Sequence, residues 1–364
     1  MSTNPWIDGH LDLAWLATDG GRDLSVSVDA LRAQEPPGGL VMAGETLGRA
    51  AVTIPELTQS GCRLAVCSVF SRFRPSGSPE RIEGIDGTRP ADAAGKGSLQ
   101  MAWYREQATA GRMQIVRTGD DLDRALASES PANGPLPVML MIEGLDPLTG
   151  PEDVARWSDA GVRMASLVHS GANGLAYGNK ADPGAGLTAA GRATLSAMDA
   201  AGWVLDVSHL NRRGFDNALD AFHGPVVASH SNCRALTDTD RHLDDDQLRE
   251  VGRRGGVVGV VPYAPFVRTV ARRKAKAEHG VGWAALADHA ERIRELAGPG
   301  APAIGSDLDG GFGADQLIDG MDRAGQLPDL ADVLAERGWP EADRRGLLLG
   351  NWARVLRGAL AEKP

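Results

Sequence analysis

With 364 residues, 42% of them hydrophobic and 24% charged, the chain has the composition of a globular protein able to bury a large core. A formal net charge of −10 argues against nucleic acid or an anionic membrane as the main partner, because both would repel the average surface. Cys62, Cys67 and Cys233 form neither a disulfide framework nor a Cys-x-x-Cys metal pattern. Reduced thiols in a cytoplasmic protein are the expectation. The first dozen residues lack the basic and apolar regions of a signal peptide, no apolar run is long enough for a bilayer, and the tail is no lipid-anchor signal.

In chain order, an apolar strand opens at Trp6 and runs into Asp8-Gly9-His10-Leu11-Asp12-Leu13. Residues two apart on a strand share a face, so His10 and Asp12 are expected to enter one cavity. A Gly/Pro-rich passage from Glu35 leads to an expected helix over Leu47–Ser60, closed by Gly61. Arg63–Phe70 reads as a buried strand, Ser71–Lys96 as a long loop, and Leu99–Ala110 and Thr118–Ser128 as helices. Short apolar strands then recur at Pro137–Glu143, Val162–Val168, Trp203–Val207, Pro225–Ser229, Gly256–Val261 and Ala301–Ser306. Between them lie helical stretches at Pro151–Ala160, Leu187–Ala201, Asn211–Phe222, Leu243–Arg254 and Gly282–Leu296, with more near Asp329–Arg337, Pro340–Leu349 and Asn351–Leu360. Eight strand–helix units predict an α/β fold, a (β/α)8 TIM barrel with extra C-terminal helices, as one domain over residues 1–364. An open doubly wound sheet is the alternative, but no Gly-x-Gly-x-x-Gly follows any strand.

Barrels of this type carry their chemistry at the C-terminal ends of the strands. Those ends bear His10 and Asp12, Glu143, His169, His209, His230 and Asp307. Each alone has a bland reading, as a satisfied loop histidine, a helix cap or a turn. Together they have no packing reason to be there, and burying them unpaired costs several kcal/mol. The set suffices for two divalent metal ions. His10 and Asp12 hold one, His209 and His230 the other, and Glu143 bridges, with Asp307 near an open face. Two ions about 3.5–4 Å apart can clamp a shared hydroxide. Imidazole and carboxylate ligands without thiolate favour Zn2+. The few lysines close no predicted strand, so a carboxylated-lysine bridge has no candidate. His223, His242, His279 and His289 are assigned no chemistry.

The motifs Asp8-Gly9-His10-Leu11-Asp12-Leu13-Ala14-Trp15, Glu143-Gly144, Val168-His169-Ser170, Asp206-Val207-Ser208-His209, Ser229-His230-Ser231-Asn232 and Gly305-Ser306-Asp307-Leu308-Asp309-Gly310 resemble the membrane (renal) dipeptidase family of zinc metallopeptidases, within the amidohydrolase superfamily. The resemblance runs from about Asp8 to Asn351 and implies a metal-dependent hydrolase barrel. It repeats the ligand assignment above and adds roles. His169 contacts the scissile carbonyl, Asp307 moves the proton from water to the leaving amine, and Trp15 lines the pocket. Arg241 binds the substrate's terminal carboxylate, although the bare sequence reads it as a surface arginine in a charged loop. Asp309 is expected either to support the ligand residues from behind or to be structural. Leu11, Ala14, the Gln34–Leu57 stretch and Val261-Pro262-Tyr263-Ala264-Pro265 depart from the family pattern and bear on substrate preference rather than on the metals.

The implied function is hydrolysis of free dipeptides, L-Xaa-L-Xaa and some L-Xaa-D-Xaa. The alternatives are an amidohydrolase acting on another small amide, lactone or β-lactam, and a non-enzymatic protein that keeps metal for structure. A homodimer fits the family.

Overall fold

A computed structural model describes residues 4–42, 45–74, 86–127, 134–270 and 276–360. Eight parallel strands make the central layer: β1 (Trp6–Leu11), β2 (Cys62–Phe70), β3 (Leu136–Glu143), β4 (Val162–Ser166), β5 (Val204–Asp206), β6 (Val226–Val227), β7 (Val258–Val260) and β8 (Pro302–Ile304). The first six are hydrogen-bonded in chain order, and β7 pairs with β8. A parallel bridge from Ala228 to Val258 joins the two groups. The seam between β8 and β1 closes through Asp307 N–H to the His10 carbonyl at 3.1 Å. There the Asp8 carboxylate also accepts the Ser306 N–H at 2.9 Å and the Ser306 hydroxyl at 2.5 Å. The (β/α)8 barrel read from the strand–helix alternation is therefore present. A short strand Met113–Ile115 on β3 and an antiparallel ribbon of Leu40–Met42 with Glu45–Gly48 were not foreseen.

The barrel interior is filled at its lower end by one residue or more from every strand but β7: Ile7, Leu64, Val66, Met139, Met141, Met164, Val204, Val227 and Ala303, with Val257 just before β7. Trp352 and Leu356 of the C-terminal helix Asn351–Leu360 plug that end. The indole N–H of Trp352 donates to the Ile304 carbonyl at 2.8 Å. A Cβ at Gly9 would lie 2.1 Å from this indole, so only glycine lets the plug seat. A larger apolar cluster packs the strands against the surrounding helices. With its floor filled by apolar side chains, the barrel has its open space at the strands' C-terminal ends.

Two expectations are corrected. The helix expected over Leu47–Ser60 is confined to Ile54–Gln59, capped by the Thr53 hydroxyl. The preceding backbone is taken instead by Asp309, which accepts the N–H groups of Ala51 and Val52, and by Glu35, which accepts that of Ala50. The loop expected over Ser71–Lys96 gives way to a helix, Pro90–Thr109, that starts well before Leu99. Pro90 opens it, and Asp92 caps it by accepting the N–H groups of Thr88 and Arg89. Part of that stretch, residues 75–85, and Ser128 at the end of another expected helix lie outside the described residues.

Candidate active site

Register explains why the polar residues converge. Phe70, Glu143, Ser166, Asp206 and Val227 are successive partners across β2 to β6, so they form one row. His169, His209 and His230 each stand three residues beyond the member of that row on their own strand, and Asp307 stands three beyond Ile304, the end of β8. His209 and Asp307 have positive φ, 70° and 54°, as does Ser170 at 42°. Backbone held in this sparsely used region costs on the order of 1 kcal/mol or more per residue and is characteristic of functional sites.

The six residues read as metal ligands and proton carrier are brought together, all buried. One oxygen of Glu143 lies 3.0 Å from His209 Nε2, 3.2 Å from His230 Nε2 and 3.7 Å from His10 Nε2. Asp12 Oδ1 is 3.7 Å from the same His10 nitrogen. Asp12 reaches this place otherwise than by strand alternation: β1 ends at Leu11, and Asp12 stands at the N-cap of the helix Leu13–Thr18. Its Oδ1 accepts the Ser68 hydroxyl.

These side chains fit divalent cations. Ligand atoms 2.0–2.2 Å from a tetrahedral cation stand about 3.3–3.6 Å apart, close to the separations here. Two imidazole Nε2 atoms, of His209 and His230, face each other at 3.0 Å, and His10 Nε2 is buried with no hydrogen-bond partner. Two groupings with ligand spacing share Glu143: His10 with Asp12, and His209 with His230. A third, His10 with Asp206 and His230, lies on the far side of the imidazoles. There the Ser229 hydroxyl donates to Asp206 Oδ2 at 2.5 Å and meets His230 Nδ1 at 2.7 Å and His10 Nδ1 at 3.2 Å. With its one proton given to the carboxylate, Ser229 can only accept from the two Nδ1–H groups. Both Nε2 lone pairs then face the cavity, the tautomer a metal requires. A Cβ at Gly305 would fall 1.7 Å from the Ser229 carbonyl, so that glycine makes room for this serine.

Electrostatics without cations are correspondingly awkward. Burial pushes Glu143 well above the usual carboxylate range, reinforced by Asp12, and pushes Asp307 up to about 8. For His10, burial acts to lower the pKa, but Glu143, Asp12 and Asp307 together hold it at about 10. Burial, with Arg241 close by, keeps His209 well below its ordinary value, and burial beside His10 does the same for His230. Carboxylates that resist ionisation, His10 holding a proton among them and two imidazoles kept neutral together mark a set awaiting positive charge.

Above these groups opens a cavity of about 440 Å3, large enough for a small ligand. Trp15, His169 and Arg241 line it. The surface reading of Arg241 is overturned. Its side chain is buried, its Nη atoms donate to Ser231 Oγ at 2.9 Å and to the His230 carbonyl at 2.7 Å, and its guanidinium lies 5.7 Å from the Phe266 ring. Sequence reasoning missed Asp206 and Ser229 behind the imidazoles, Arg72 in the cavity wall, and Met42 and Leu47 as lining from the departing 34–57 stretch. Asp206 and Ser229 were visible as polar strand-end residues. Arg72, two past Phe70, needed the same rule applied to β2. Asp309 is structural as expected: it pairs with buried Arg22 at 2.9 Å. Among the other histidines, His289 is fully buried and satisfied, accepting the Cys233 N–H and donating to the Val267 carbonyl.

Comparison with known proteins is decisive here: the membrane dipeptidase family (peptidase family M19) matches residues 1–363. The chain belongs to this family of metallopeptidases. A solved metallopeptidase of the family, dipeptidase AC, superposes with a TM-score of 0.78 at 25% identity, covering 99% of this chain and all of that one. A Rhodobacter sphaeroides metallopeptidase, solved with a phosphinate mimic of L-Ala-D-Ala, has a TM-score of 0.77 at 23% identity over 98% and 100% of the two chains, which supports the shared fold. In sequence, an uncharacterized Klebsiella pneumoniae protein from the pqqA 5′ region is 32% identical over 68% of this chain and 90% of its own length. An uncharacterized dipeptidase of Schizosaccharomyces pombe is 31% identical over 62% of this chain, and the match spans about half, 52%, of that longer protein. Among the described residues no helix is long and apolar enough to cross a membrane.

Proposed function

We propose that this chain is a binuclear, zinc-dependent dipeptidase that hydrolyses the single peptide bond of free dipeptides. The observation that carries the reading is one oxygen of Glu143 lying within 3.0–3.7 Å of three imidazole Nε2 atoms, in a member of a metallopeptidase family. His10 and Asp12 would hold one ion and His209 and His230 the other, with Glu143 available to both. When bound, the two cations supply Lewis acidity and make a water nucleophilic at neutral pH. All else comes from this chain. Arg241, pinned by Ser231 and the His230 carbonyl, offers its remaining donors to the substrate's terminal carboxylate. His169 donates to the peptide oxygen as negative charge develops there. Asp307 takes a proton from the attacking water and returns it to the leaving nitrogen, so that a C–O bond forms, the C–N bond breaks and two amino acids leave. Burial raises Asp307, and neighbouring cations oppose that, keeping it ionised. Trp15 forms part of the wall.

Tolerance of a D-residue on the C-terminal side is part of the proposal, supported by the L-Ala-D-Ala mimic bound by the Rhodobacter relative. The reading keeps residues 1–364 as one domain, acting in the cytoplasm as a homodimer. The test is a library of L-Xaa-L-Xaa and L-Xaa-D-Xaa dipeptides offered to the zinc-loaded protein. Turnover of at least one free dipeptide, lost on blocking its C-terminal carboxylate, is expected. Turnover of uncharged amides alone would move the assignment to another amidohydrolase activity.

A further inference from the structure

His169 is a neutral-imidazole candidate for oxyanion contact, and which of its nitrogens carries the proton decides whether it can donate into the cavity. Arg72 Nη1 approaches His169 Nδ1 at 3.3 Å, and the Ser170 hydroxyl approaches the same nitrogen at 2.8 Å. Ser170 can donate or accept, so it leaves the tautomer open. Arg72 cannot: a guanidinium has only donors and stays protonated. Nδ1 must therefore be the acceptor, and the proton must sit on Nε2.

Arg72 is itself fixed. Its Nε and Nη2 donate to the two oxygens of Asp86 at 2.6 and 2.9 Å, with both residues buried, which leaves Nη1 for His169. The segment carrying it is clamped as well. The Arg72 carbonyl accepts the Gly87 N–H at 2.9 Å, and Asp146 accepts the Phe73 N–H at 3.0 Å. Asp146 also accepts from Asn173 at 2.9 Å, tying the loop after β2 to the loop that begins at His169. The ring itself rests against Phe70 and His209, with centroids 4.9 and 4.3 Å away.

We propose that Arg72, held by Asp86, is a positioning residue that locks His169 in its Nε2–H tautomer and so makes it a hydrogen-bond donor toward the reacting carbonyl. The tautomer assignment stands on these contacts alone, and its catalytic consequence rests on the dipeptidase reading above.

The direct test is the 15N signature of His169 in histidine-labelled protein, zinc-loaded and assigned by comparison with His169→Gln. The wild type is expected to show a protonated Nε2 and a bare Nδ1. Ser170→Ala is expected to keep that pattern, whereas Arg72→Met mixes or inverts it. Because Arg72→Met leaves Asp86 buried without this partner, the Arg72→Met/Asp86→Ala pair is measured beside it and is expected to give the same shift. On the best dipeptide substrate, kcat should fall roughly 10- to 100-fold in both variants with KM within about threefold, the range for losing a group that orients another. Arg72→Lys, which keeps a donor, should recover part of kcat. A protonated Nδ1 in the wild type, or an unchanged His169 signature in both Arg72→Met variants, would overturn the inference. If no dipeptide is turned over while the Nε2–H signature is present, the dipeptidase reading fails and the tautomer lock survives.

Discussion

The Ser229 hydroxyl lies 2.5 Å from Asp206 Oδ2, and that single proton sets the direction of two imidazoles. With the hydroxyl hydrogen committed to the carboxylate, Ser229 accepts from Nδ1 of both His10 and His230, and both turn unprotonated Nε2 atoms to the centre of the barrel. Neither Ser229 nor Asp206 need touch a cation to govern how tightly one is held.

Ser229→Ala should therefore weaken zinc binding by roughly 10- to 100-fold while the barrel stays folded. Chelator competition measures the affinity, and far-UV circular dichroism checks the fold. An unaltered affinity would mean that the imidazoles are oriented by their packing alone.

Arg241→Met removes a buried guanidinium whose Nη atoms are already anchored to Ser231 and the His230 carbonyl. For a dipeptide the loss should appear mainly in KM, with kcat/KM down by roughly 30-fold or more, the cost of about 2 kcal/mol or more for losing a charge-assisted bond. Steady-state kinetics on a dipeptide and on its C-terminal amide separate carboxylate binding from general damage, since the amide should be affected far less.

The metal-free protein should lose stability as pH rises from about 7.5 toward 10. Asp307, raised to about 8 from 3.8, and His10, raised to about 10 from 6.5, keep protons in the folded state that the unfolded chain has released. A folded state that binds more protons is destabilised by raising pH. His169, His209 and His230 are held below 6.5, so their opposing slope is confined to the pH range where unfolded histidines still carry protons and has largely faded by about 7.5. Zinc should abolish it, with net proton release on binding. Thermal melts across this range, with and without zinc, and calorimetry in buffers of different ionisation enthalpy check both parts.

Asp309→Ala should destabilise the fold by about 3 kcal/mol without touching the metal ligands. It strips Arg22 of one buried partner and frees the N–H groups of Ala51 and Val52. Urea unfolding of the metal-free variant reads the change. Zinc stoichiometry should stay that of the wild type.

The barrel and its ring of candidate ligands were legible because strand ends carry both signals at once: an apolar run stops, and a histidine or carboxylate follows within three residues. His169, His209 and His230 obey that rule on three successive strands. What stayed hidden depends on contacts between distant parts of the chain. The helix foreseen from Leu47 yields to Asp309, some 260 residues away, which takes its backbone donors. Arg241 looks like a loop residue beside Asp240 and His242, and nothing local says that Ser231 and the His230 carbonyl draw it inward. Asp12 reaches the cluster otherwise than strand alternation expects, since it stands at the N-cap position of a helix and does not continue the strand.

The central claim is that side chains from four strand ends hold a pair of cations joined through Glu143. Metal content per chain after exhaustive dialysis against metal-free buffer, measured for the wild type and for Glu143→Gln after zinc loading, tests it most directly. Two zinc ions per wild-type chain, with a clear loss from Glu143→Gln, is the result expected. A wild-type chain that retains one ion or none, or a Glu143→Gln chain that retains both as tightly, would contradict it.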